Sequence, residues 1–156
     1  MNFIEAFKTC VIEKYCCFQG RARRSEFWYF QLATTLISWA ISIFGLGAIN
    51  EAANQLMATQ DVAAYMTTLL TAPATIVSFI VGLAFLLPFL GVTVRRLHDI
   101  GKSGWWLLGI YVLCCIPIIN FIVVIYFIYL MCKDSEYGEN EYGPNPKGLD
   151  GDSSEL

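Results

Sequence analysis

One histidine serves all 156 residues, and none of the six cysteines stands in a C-x-x-C spacing. Four of them form the adjacent pairs Cys16-Cys17 and Cys114-Cys115, and neighbours neither bridge each other readily nor chelate one ion well. A zinc site and a disulfide framework are set aside on that ground, and the sequence calls for no metal and no cofactor. Charge is scarce too: 15% of residues are charged while 56% are hydrophobic. A water-soluble helical domain interrupts its apolar residues with polar ones at every turn to keep a wet face, whereas Phe27 to Ile49 and Ala74 to Val94 contain no charged residue. G-x-S-x-G and H-E-x-x-H are also missing, so no nucleophile or metal-hydrolase constellation is evident and the chain reads as non-enzymatic.

What charge there is lies in clusters. The formal net charge of -3 arises because Asp134, Glu136, Glu139, Glu141, Asp150, Asp152 and Glu155 all follow the last apolar run. Upstream, Arg21, Arg23 and Arg24 precede one apolar run, and Arg95, Arg96, His98, Asp99 and Lys102 follow another. Basic residues beside apolar spans face anionic headgroups and the cytoplasm, so the expected partner is the lipid bilayer and no nucleic acid.

These patterns predict an all-α integral membrane protein in three parts. Residues 1–24 form an amphipathic interfacial helix and a basic cytoplasmic segment: Phe3, Phe7, Cys10, Val11, Tyr15 and Phe18 recur at helical steps, opposite Glu5, Thr9 and Glu13. Residues 25–132 form a small helical bundle. Its first span covers 27–49, about 35 Å long against a hydrocarbon core of about 30 Å, and opens on an aromatic band that includes Trp28. The stretch from Asn50 to Ala72 has no lysine or arginine and is assigned to the outer side, and the second span, 74–94, returns inward. The third apolar stretch, 105–132, fits one long tilted helix or a hairpin of two short ones broken near 117–120. Pro117, Asn120 and the return of Lys133 to the basic side favour the hairpin, although each arm is only about 20 Å long. Residues 133–156 form an acidic, largely irregular tail.

Three islands punctuate these runs: FQGRARRSEFW at 18–28, VRRLHDIGKSGWW at 94–106 and GENEYGPNP at 138–146. In that order they resemble the YhaH-type bacterial inner-membrane family, grouped as domain of unknown function 805. The matching positions are Gly20, Arg21, Arg24, Glu26, Phe27, Trp28, Arg95, Arg96, Leu97, His98, Asp99, Trp105, Trp106, Asn140, Tyr142, Gly143 and Pro146. The resemblance implies a multi-span protein of the inner membrane and no particular reaction.

The islands admit several roles. In the structural one, Glu26 meets Arg95 or Arg96, and Asp99 accepts from His98 or Lys102, since charge near hydrocarbon is tolerated only when paired. In the binding one, Arg21, Arg24, Arg95, Arg96 and Lys102 grip the phosphates of anionic lipid, with Trp105 and Trp106 fixing depth. A proton-relaying His98-Asp99 pair has no matching nucleophile, and adjacent helical residues point about 100° apart. Asn140 and Tyr142 belong to a turn or to a docking motif for a membrane partner. The function that follows is a lipid- or protein-interacting membrane component, with homo-oligomerisation open. The alternative is a subunit of a small transporter or channel, with Asn120 as its deep polar group.

Overall fold

A computed structural model describes residues 2–148; the acidic positions Asp150, Asp152 and Glu155, and the end of the tail expected to be irregular, lie outside the described residues. The described residues are helical apart from turns and one isolated bridge between Asn140 and Gly143. In chain order the helices are α1 (Phe3–Lys8), which continues as a π-helical turn over Thr9–Glu13, then α2 (Arg24–Thr59), α3 (Val62–Thr71), α4 (Pro73–Asp99), α5 (Trp105–Cys114) and α6 (Pro117–Cys132). Of these, α2 and α4 are long and apolar enough to cross a membrane.

The chain divides into two compact units. One is residues 32–86, the greater part of α2, all of α3 and the first part of α4. Its apolar side chains face outward: Trp39, Phe44 and Phe79 are all exposed, as expected where the solvent is lipid and the hydrophobic effect does not drive side chains inward. Contact is made by small residues instead, a Cβ added at Gly45 falling 3.1 Å from Ala74 Cβ. The stretch from Asn50 to Ala72, read above as an outer connection, is itself mostly helical. Nothing between 50 and 59 stops α2, since no glycine or proline occurs there, and the chain turns at Gln60 with φ 53°. Asp61 then caps α3, its Oδ1 accepting from the amides of Ala63 (2.9 Å) and Ala64 (3.2 Å).

The other unit gathers, among the described residues, 2–31 and 87–148. Its core is Ala6, Cys10, Phe30, Val92, Leu97, Leu130 and Met131, with Phe7 stacked on Phe30 at 6.2 Å. Within it α5 and α6 pack as a hairpin, the preferred form of the third apolar stretch. The break falls at Cys115 and Ile116, just before the expected 117–120: Pro117 is the first residue of α6, where its missing donor costs nothing. Asn120 lies inside α6 and not in the turn, and its Nδ2 donates to the Cys114 carbonyl at 2.7 Å, satisfying one of the orphan acceptors at the end of α5. The arms measure about 15 and 24 Å at 1.5 Å per residue, and the second returns the chain to the end from which the first set out.

Candidate functional site

All three sequence islands meet at that end. Helix α4 stops where Gly101, at φ 71°, takes the left-handed conformation that a side chain resists; Lys102 N donates back to the Leu97 carbonyl at 2.9 Å and Gly101 N to that of His98 at 3.1 Å. The last turn of α4 thereby presents Arg95, Arg96 and Asp99, all fully buried. From the other side comes the start of α2, with Glu26 in its first turn and Arg21 just before it.

Arg95 Nη1 donates to Glu26 Oε1 at 2.5 Å, one of the two pairings expected. Its Nε and Nη2 meet no acceptor among the described residues. Cys10 lies against the pair, its Sγ 3.8 Å from Glu26 Oε1. Burial, followed by the Glu26 carboxylate, pushes this thiol up to about 12 against the pull of Arg95, so it stays protonated. Asp99 does not take the expected partners. Its carboxylate accepts from Arg21 Nε at 3.0 Å, from Arg96 Nη1 and from Ser135 Oγ at 2.6 Å, while His98 and Lys102 turn elsewhere. His98 Nδ1 lies 3.3 Å from the Gly20 carbonyl, and Lys102 Nζ sits 4.0 Å over the Trp106 ring.

The other arginines reach for backbone as well. Arg96 donates to the Met131 carbonyl at 3.2 Å and to that of Lys133, and Arg24 to that of Cys132 at 3.4 Å. Those are the orphan carbonyls at the end of α6, so cations cap both its unmet acceptors and the negative end of its dipole. Arg21 takes the carbonyls of Glu136 (2.6 Å), Gly138 (2.7 Å) and Gly143 (3.2 Å), and Arg23 takes that of Pro146. The tail over 133–148 is therefore irregular yet clasped.

Its own sequence shapes it for this. Asn140 exchanges backbone bonds with Gly143, and its Oδ1 accepts from Tyr142 N at 3.0 Å, a side chain closing its own turn. Asn140 Nδ2 then donates to the His98 carbonyl at 3.0 Å, and the Tyr142 ring stacks on His98 at 3.8 Å and 4°. Burial lowers the proton affinity of His98, partly offset by the Gly20 carbonyl, which favours the neutral ring. At the rim Asp134 pairs with Arg24 and Lys147, and the Lys147 hydrogen bond, then that from the Ser135 amide, lowers its pKa.

Thus Arg21, Glu26, Arg95, Arg96, His98, Asp99, Asn140 and Tyr142 come together, with Arg24 at the rim. Trp28, Trp105 and Trp106 stay outside, exposed. Cys10 and Ser135 are not among the residues the sequence singles out for the site, and Gly20 stands there only as a position of the first island. Cys10 left a signal through its place on the apolar face of the first helix. Among the described residues no cluster of histidine, cysteine or acid could hold a metal ion.

Two helices long enough to cross lipid and a buried arginine-carboxylate knot at one end define the class, an all-α integral membrane protein. Residues 15–144 match the family model described as protein of unknown function (DUF805), and the chain belongs to that family. It is 34% identical over 137 residues to the inner membrane protein YhaH of Escherichia coli (strain K12), covering 88% of this chain and 93% of the relative. To the inner membrane protein YhaI of the same strain it is 31% identical over 137 residues, 88% and 92% of the two chains. No solved structure matches.

Proposed function

We propose that this chain is a non-enzymatic, multi-pass component of the bacterial inner membrane, with its amino end and clasped tail in the cytoplasm, whose inner face engages anionic lipid. The observation that carries this reading is the division of labour among its cations. Arg21, Arg95 and Arg96 turn inward to carboxylates and carbonyls, so they hold the face together and do not grip phosphates. Lys14, Lys102 and Lys133, at the same end, have no acidic partner among the described residues and supply the attraction. A cytoplasmic placement of that end follows from the positive-inside tendency, because residues 50–72 carry Glu51 and Asp61 and no base.

Two measurements test this. A reporter inserted near Asp61 is expected to be accessible from the periplasm and one fused after the tail to be accessible only from the cytoplasm. The protein extracted with its surrounding lipid is expected to carry more phosphatidylglycerol than the bulk membrane, and Lys14→Gln with Lys102→Gln and Lys133→Gln to abolish the excess. Unchanged enrichment in that triple variant would refute the role of the lysines.

A further inference from the structure

Among the described residues only Arg95 has buried side-chain nitrogens with no acceptor. Its Nη1 serves Glu26 Oε1, while Nε and Nη2, both sealed from solvent, are left over. These two atoms form a set. In the planar guanidinium the Nε hydrogen and one Nη2 hydrogen run parallel, as the fork with which arginine takes an anion at two points, and this fork lies on an edge that Glu26 does not use. The residue is pinned at both ends, since its carbonyl also accepts from Ala22 N at 3.1 Å. Arg21 and Arg96 differ: Asp99 and backbone carbonyls meet every nitrogen they bury.

Charge points to what the fork takes. The ionised side chains buried among the described residues are the cations Arg21, Arg95 and Arg96 and the anions Glu26 and Asp99, which leaves the cations in excess. Cys10 keeps its proton and His98 is favoured neutral, so neither closes the difference. The negative ends of α4 and α6, set against the positive start of α2, take up about half a charge. The knot stays positive, and charge held away from water needs a counterion.

A water at the fork would accept both hydrogens, but it would add two of its own and no charge. A phosphate or sulfate would bring oxygens that one fork cannot serve, in a place closed to solvent. A monatomic anion has neither fault. We infer that the Arg95 fork holds one chloride ion, enclosed beside the Glu26–Arg95 pair when the protein folds. The site makes no use of Lys14, Lys102 or Lys133, so it stands or falls apart from the lipid reading above.

The full chain is purified in detergent and moved into gluconate, with chloride or bromide added at constant ionic strength. The wild-type unfolding temperature should rise with the logarithm of halide concentration, by about 3–6 °C for each tenfold step above the dissociation constant. Arg95→Lys, which keeps a cation for Glu26 but has no fork, should flatten that slope. Crystals of the wild type grown in bromide should show an anomalous peak within hydrogen-bond reach of Arg95 Nε and Nη2, a measurement that decides even if the variant fails to fold. Equal unfolding in gluconate and chloride, a halide slope that survives in Arg95→Lys, or a fork occupied by water or a carboxylate with no bromide peak overturns the site.

Discussion

Arg21 and Asp99, 78 residues apart, meet with Nε 3.0 Å from Oδ1 in a pocket sealed from solvent. Asp99 also takes Arg96 and Ser135, and Arg21 also takes three tail carbonyls, so this pair joins the amino segment, the end of α4 and the tail. Asp99→Asn should therefore release residues 133–148 before it unfolds the helices. Limited trypsin digestion should cut at Lys133 and Lys147 in the variant under conditions that spare the wild type.

The Glu26–Arg95 pair is buried on both sides, and removing one member leaves the other charge stranded. Glu26→Ala should cost about 3–5 kcal/mol of stability, while Glu26→Leu with Arg95→Met should recover most of it. Unfolding in detergent measures both.

Cys10 should resist maleimide at pH 8, where exposed Cys16 and Cys115 react, because burial and Glu26 keep its thiol protonated. Opening the knot by Glu26→Ala should add one labelled thiol, counted by mass.

His98 is favoured neutral in the fold, its proton affinity below that of the unfolded chain. Between the lower folded pKa and the unfolded value of about 6.5 the unfolded chain binds more protons. Stability that is full above that value should therefore fall as pH drops through it, and level off once the folded ring is also protonated. His98→Phe, which keeps a ring against Tyr142, should remove this share of the pH dependence of unfolding.

Asn120 holds the hairpin tip through the Cys114 carbonyl. Asn120→Leu should cost about 1–2 kcal/mol, measured by unfolding in detergent.

Much of this was legible in the residues. Charge-free runs marked the two crossing helices, and Glu26 with Arg95 was among the pairings that position at the foot of two spans suggested. The Arg96–Asp99 contact at i, i+3 was equally open to reading, yet Asp99 was given to its neighbours His98 and Lys102. Part of the tail's attachment was legible too, in Asn140 and Tyr142 of the third island, which hold it to His98; its contacts with arginine left no trace because their acceptors are carbonyls, which every residue has. Arg21 grips Glu136, Gly138 and Gly143 through their backbone, and no side-chain pattern announces that.

Biosynthesis gives the clasp a timing. Arg21 and Arg96 leave the ribosome well before residues 133–146, so during insertion their guanidiniums wait with most acceptors still unmade. The knot tightens only when the final stretch emerges and threads beneath them. A nascent chain halted after α6 would carry membrane-ready helices and an unlatched, quality-control-sensitive end.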